Sequence, residues 1–266
     1  MNDHLQQAKD VKNDEFYTPY EEVELGVKPY KSYFRNKTVY CNCDDKTSNF
    51  YKYFKDNFKS LQLKKLYASG IHHKYVLTYD GKTEIKTPIK KVGDYKSPEL
   101  TPYVMKSDII CTNPPFSLFR EYYTFVHNSG KKFLLIAPLL AMAYKEIFPH
   151  IIKLKTNIVT QKSVTFLNGK PVGIIWLTNF PISRPKPLDT GVKFKSLPYK
   201  KFDNIAAINV DKIKEIPMDY KGVMGVPITF LPHWNPRQYK IMRDSVEHDA
   251  YVDGVNKFSR MFIKKI

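Results

Sequence analysis

Ser107-Asp-Ile-Ile-Cys-Thr-Asn-Pro-Pro-Phe116 decides the fold. A short apolar run, Ile109-Ile110-Cys111, leads into Asn113-Pro114-Pro115-Phe116. From Ser117 to His127, apolar residues then recur at helical spacing: Leu118, Phe119, Tyr122, Tyr123 and Val126. The order predicts a buried strand, a rigid turn and an amphipathic helix. It puts the turn at the carboxyl end of a strand, where open α/β sheets bind ligands. Consecutive prolines fix φ and supply carbonyls but no N–H, so the turn is stiff and rich in acceptors.

Such a turn suits a planar group bearing an exocyclic amine. The Asn113 side-chain oxygen and the Pro114 carbonyl can each accept one N–H, which pulls the amine toward a tetrahedral shape and aims its lone pair. No strong base is needed beforehand, because the proton becomes acidic only as the new bond forms. Positioning then does most of the work, and well-oriented pairs gain roughly 7–11 kcal/mol that way. Phe116 offers a flat face for stacking, as needed for a base taken out of its duplex. The plain alternative is a proline-stiffened βα turn without chemistry.

Further elements extend on both sides of this turn. Residues 1–13 are polar and expected to fray. Thr38–Cys41 reads as a first strand, Ser48-Asn49-Phe50 opens a helix through Phe58, and Lys64–Ala68 is a second strand. Tyr75–Ile85 carries Asp80-Gly81 between alternating runs, a hairpin signature. Lys132–Ala137 is a continuous apolar run, as in a buried parallel strand. Val164–Leu167 and Val172–Leu177, joined through Asn168-Gly169, predict a second hairpin. The whole reads as α/β, a mostly parallel sheet with an antiparallel hairpin strand. Pro-rich, basic Phe180–Pro187 marks a boundary. Residues 1–180 are therefore expected to form a catalytic domain and 181–266 a smaller C-terminal region, with strand-like pieces at Ile205–Val210, Ile228–Leu231 and Tyr239–Met242.

Bulk properties narrow the partners. The chain has 266 residues, 31.1 kDa and a formal charge of +17, with pI about 9.5. That excess favours polyanions in a salt-dependent way, although a lysine-rich solvated surface gives the same count. No apolar run reaches the 18 residues of a membrane span, and no secretory signal opens the chain, so a cytoplasmic protein is expected. Three cysteines argue against a disulfide framework. Cys41, Cys43, His72, His73 and Cys111 match no paired-ligand spacing, so no metal site is expected.

Several motifs in order resemble the EcoRI-type adenine-specific DNA methyltransferases over nearly the whole chain. They are Asp14-Glu15-Phe16-Tyr17-Thr18-Pro19, Val39 to Asp45 with Ser48-Asn49-Phe50, and Gly93-Asp94-Tyr95. Thr112 to Glu121 follows, then Gly222 to Leu231 with Asn235-Pro236 and Gln238. The resemblance implies a Rossmann-like class I methyltransferase fold with a small C-terminal DNA-recognition region. It implies S-adenosylmethionine as cofactor and double-stranded DNA as partner, with methylation of adenine N6 on a flipped base. Asn113, Pro114, Pro115 and Phe116 become the catalytic residues. Tyr17, Thr18, Pro19, Cys41, Asp44, Asp45, Asp94 and Asn113 become cofactor contacts.

Asp44 and Asp45 also read as simple helix caps. No glycine stands between Gly26 and Gly70, where this fold usually has a Gly-rich turn, and Ser69 occupies the place of a ribose-binding acid. Arg120, Arg184, Lys186, Lys193, Lys195 and Arg237 are the candidate DNA contacts. Open alternatives are an enzyme for cytosine N4, RNA or protein glutamine, and an idle DNA-binding module. A monomer suits one methyl per visit, a restriction endonuclease of the same specificity is a candidate partner, and a GAATTC-like site is the first duplex to test.

Overall fold

The computed structural model describes residues 17–91, 93–167, 169, 171–243 and 246–266. Residues 1–16, including Asp14, Glu15 and Phe16, lie outside the described residues. Contacts divide the chain into two units: residues up to Ala141 with Val159–Phe180, and Met142–Ile158 with Pro181–Ile266. Residues 142–158 thus group with the second unit rather than with the catalytic domain expected to contain them.

The first unit opens with α1 (Tyr20–Val27) and a 3-10 helix (Lys28–Phe34). Next come β1 (Thr38–Cys41), α2 (Asn49–Asp56), β2 (Lys65–Ala68), β3 (Tyr75–Tyr79) and β4 (Glu84–Pro88). Then follow α3 (Thr101–Lys106), β5 (Ile109–Thr112), α4 (Phe119–Asn128) and β6 (Lys132–Pro138). After α5 (Phe148–Ile152) of the second unit, β7 (Asn157–Thr165) and β8 (Pro171–Thr178) complete an eight-stranded sheet, in the order β4-β3-β2-β1-β5-β6-β8-β7.

β2, β1, β5 and β6 run parallel, while β3 joins β2, and β8 joins β6, antiparallel. The parallel part is therefore narrower than the sequence suggested, since the 75–88 hairpin joins the same sheet. β1 and β5 are buried at every residue, as expected of central strands covered on both faces. α4 turns Phe119, Tyr122, Tyr123 and Val126 inward, the spacing seen in the sequence. From β1 the chain crosses to β2 on one side, and β5 lies on the other. The order thus reverses between β1 and β5, and beyond their carboxyl ends open sheets leave a crevice.

α1 went unforeseen. It buries Val23 and Val27 and brings Gly26 so close to Trp176 that an added Cβ would fall 2.3 Å from the indole. Glu22 on the same helix is buried, accepts the indole N–H of Trp176 at 2.7 Å, and pairs with Lys162.

In the second unit, β9 (Ile208–Asn209), β10 (Val223–Pro227), β11 (Tyr239–Ile241) and β14 (Arg260–Lys265) form a sheet ordered β11-β14-β10-β9. β12 (Tyr251–Val252) and β13 (Val255–Asn256) form a separate pair. Phe202, Ala207, Ala250, Val252 and Phe262 make a small core there. Ile228–Leu231, expected as a strand, is instead part of a 3-10 helix, Ile228–His233. Pro227 and Pro232 bracket it, and neither can donate to a ladder.

Candidate active site

Both ends of the β1/β5 crevice are rigid. After β1 the chain breaks at Asn42, whose side-chain oxygen accepts the Tyr122 hydroxyl of α4. Asp44 is only 6% exposed, and its two carboxylate oxygens accept the hydroxyls of Thr112 and Ser48. One buried carboxylate therefore joins the β1 turn to the end of β5 and to the residue that caps α2. Asp45 accepts the Thr47 N–H and hydroxyl, each at 2.6 Å, and the Ser48 N–H at 3.2 Å. Its other oxygen stands 3.3 Å from His73 Nδ1. Ser48 is the residue whose hydroxyl accepts the Phe50 N–H and starts α2.

Three hydrogen bonds lay the N-terminal segment across this crevice. The Tyr17 carbonyl accepts the Leu167 N–H at 3.0 Å, and the Thr18 carbonyl accepts Asn49 Nδ2 at 2.8 Å. Asn113 Nδ2 donates to Thr18 Oγ1 at 3.1 Å. In that bond the amide nitrogen faces Thr18, with the oxygen on the opposite edge. Pro114 and Pro115 are buried, while Asn113 and Phe116 are half-buried. Phe116 meets Phe166 edge to face, with centroids 6.3 Å apart.

A cleft of about 240 Å³ results, and it gathers seven of the sequence-derived residues: Tyr17, Thr18, Asp44, Asp45, Asn113, Pro114 and Pro115. Pro19, Cys41, Asp94 and Phe116 are not among its lining residues. Pro19 begins α1, with its carbonyl accepting the Glu22 N–H at 3.1 Å. Cys41 has its side chain fully buried in β1, and its carbonyl accepts the Ser69 N–H. Asp94 is exposed and caps its own turn by accepting the Lys96 N–H at 3.0 Å. Gly93 beside it donates to the His73 carbonyl at 2.8 Å, which leaves Asp94 just outside the rim. Ser69 also differs from expectation. It is buried and shares a 2.7 Å hydrogen bond with the Tyr40 hydroxyl, directed into the sheet.

The sequence reading missed the other wall. Gly70, Ile71, His72 and His73 line the cleft after β2, with Cys43, Thr47, Ser48, Asn49, Lys52 and Leu167 elsewhere. Gly70 was the available signal. A Cβ there would meet His73 Nδ1 at 2.8 Å and Asp45 Cβ at 3.0 Å, so the approach of this loop to Asp45 needs glycine. The thiols offer no nucleophile. Burial pushes Cys41, Cys43 and Cys111 well above the usual range, and the neighbouring Asp44 adds to each.

The candidate DNA contacts are all exposed: Arg120 on α4 in the first unit, and Arg184, Lys186, Lys193, Lys195 and Arg237 in the second. Arg184 donates to Asn157 Oδ1 at 3.2 Å. The segment from 181 to 207 has little regular structure, and side chains pin it. Gln238 binds Leu188 from both amide ends, at 2.6 and 2.5 Å, and Asn235 Nδ2 donates to the Pro185 carbonyl at 2.8 Å. Among the described residues, no helix is long and apolar enough to cross a membrane.

A family model described as adenine-specific methyltransferase EcoRI matches residues 4–81, 73–166 and 153–265. The Type II methyltransferase M.EcoRI of Escherichia coli is 37% identical, over 98% of this chain and 95% of that protein. M.MgeORF184P of Mycoplasma genitalium is 35% identical and M.MpnI of Mycoplasma pneumoniae 34%, each over 98% of both chains. Both are also named Type II methyltransferases. No solved structure matches the chain at a significant level.

Proposed function

This chain belongs to the EcoRI-type adenine-specific methyltransferases, and on that premise we propose that it transfers a methyl group from S-adenosylmethionine to N6 of an adenine flipped out of double-stranded DNA. The observation that carries this reading is the Asn113–Thr18 bond at the β1/β5 crevice. It holds the Asn113 amide beside Pro114 at the position where open sheets hold their ligands.

The cleft suits the cofactor by its donor set. Asp45 supplies a carboxylate for an ammonium, Lys52 a cation for a carboxylate, and Thr18 and Asn49 neutral polar atoms, with Tyr17 as apolar cover. When bound, S-adenosylmethionine supplies an electrophilic methyl group on a sulfonium. The chain's own residues then do the positioning. Asn113 Oδ1 and the Pro114 carbonyl accept the two amine protons and turn the lone pair toward the cleft. Phe116, steadied edge to face by Phe166, stacks on the extruded base. Asp44 keeps Thr112, and so the start of the catalytic turn, in register with β1.

We read the β2-β1-β5-β6 core as Rossmann-like and residues 1–180 as the catalytic domain. Residues 181–266 are the target-recognition region, where Arg184, Lys186, Lys193, Lys195 and Arg237 make phosphate and groove contacts, joined by Arg120 of α4. The test is incubation with labelled cofactor and defined duplexes, GAATTC first, then digestion to nucleosides. Label in N6-methyladenine is expected. Label in N4-methylcytosine, in RNA or in protein would overturn the assignment.

A further inference from the structure

We propose that Leu167 is the wedge that holds the duplex open once the target base has left its stack. The proposal rests on the reading above that the base is rotated out of the helix. Leu167 stands two residues past the end of β7 and is 67% exposed, while its neighbour Phe166 is buried beside Phe116. A single exposed leucine means little by itself. This one differs in two respects.

Its backbone is fixed. The Leu167 N–H donates to the Tyr17 carbonyl at 3.0 Å, and the Gly169 N–H closes a turn onto the Phe166 carbonyl at 3.1 Å. It also lines the cleft that contains Asn113, Pro114 and Pro115. A bulky aliphatic group, tied by its backbone to Tyr17, is therefore held out in water at the rim of the cleft. Extrusion leaves a gap between neighbouring base pairs, and apolar side chains inserted between steps stabilise such openings. The formal charge of +17 favours association with a polyanion, and Leu167 supplies an uncharged contact.

Tyr17, 51% exposed, shares the rim, so the competing role for Leu167 is a cover over the cofactor. The experiment separates the two. Leu167→Ala and Leu167→Met are compared with the parent protein on two duplexes, one with the target adenine paired to thymine and one with it opposite an abasic site. A third duplex with 2-aminopurine at the target reports extrusion by its fluorescence rise.

On the paired duplex, Leu167→Ala is expected to lose about 10–100-fold in kcat/KM and most of the fluorescence rise, the scale set by unstacking one step. Opposite an abasic site, where extrusion costs less, the defect shrinks to within about 3-fold. Leu167→Met stays near the parent on both. S-adenosylhomocysteine affinity and Tm are unchanged in both variants. An equal loss on the two duplexes, a weakened S-adenosylhomocysteine Kd, or no loss at all would overturn the wedge. If the parent protein methylates adenine in none of the duplexes, the underlying reading fails, and the wedge with it.

Discussion

Asp44 and Gln238 each hold an irregular stretch of chain in place, and they use different chemistry. Asp44 is a buried carboxylate that accepts hydroxyls from β5 and from the cap of α2. Gln238 is a half-buried neutral amide that clips Leu188 from both ends, helped by Asn235 on Pro185. Hydrogen bonds to a charged group are worth about twice those between neutral groups, and a buried charge left without partners costs far more than a lost amide clip. The cleft is thus built to stay fixed throughout. The segment after Phe180 is pinned at a few points, with exposed basic residues between them.

Four variants test that contrast. The largest effect is expected from Asn113→Ala. Loss of one positioned acceptor should lower kcat by about 10²–10³-fold, while S-adenosylhomocysteine affinity, read by calorimetry, stays within a few-fold. Activity near the parent level would remove Asn113 from its role. Asp44→Ala comes next. Two charge-assisted hydrogen bonds disappear inside the sheet, so the first unit should lose about 3 kcal/mol of stability by denaturant melting, and cofactor binding with it. A loss no larger than that of Gln238→Ala would erase the distinction between the two regions.

Gln238→Ala should cost about 1–2 kcal/mol and weaken DNA binding, with cofactor affinity intact. Parallel loss of cofactor binding would show that the clip does not act locally. The smallest effect belongs to Glu84 on β4. The Lys55 ammonium, followed by the Tyr51 hydroxyl, holds its carboxyl below the usual range. A carboxyl depressed in the folded state adds stability above its unfolded pKa and loses it as pH falls through the folded value. Glu84→Gln should therefore flatten the acid limb of the Tm profile by roughly 0.5 kcal/mol between neutral pH and pH 3. A limb as steep as the parent's would show that this pair contributes nothing.

Parts of this molecule are legible in its sequence for identifiable reasons. Ile109–Cys111 and Lys132–Ala137 are unbroken apolar runs, and only a strand covered on both faces wants one; both proved to be adjacent parallel strands. α4 showed itself by its 3.6-residue period. α1 did not. Tyr20–Val27 is eight residues long with a glycine inside, and its reason for being helical lies in Trp176, far along the chain. β14, Arg260–Lys265, was missed because its charged ends hide the apolar centre that pairs with both β10 and β11. Thr18, Asp44 and Asn113, far apart in sequence, line one cleft. The 70–73 wall escaped notice because a loop without a motif announces its neighbours only through a steric demand at Gly70. Cys41 was a candidate through the resemblance alone, and it ends β1 with a buried side chain.

The bond between Glu22 and the Trp176 indole spans 154 positions of chain. A growing polypeptide emerges at about 5–20 residues per second. The first helix must therefore wait roughly 8–30 s after its own synthesis before its partner exists. During that interval the helix can pack against α2 but lacks the Trp176 indole, and that seam stays unsealed. Synthesis speed, more than the final contacts, sets how long that seam is open to chaperones or to neighbouring chains.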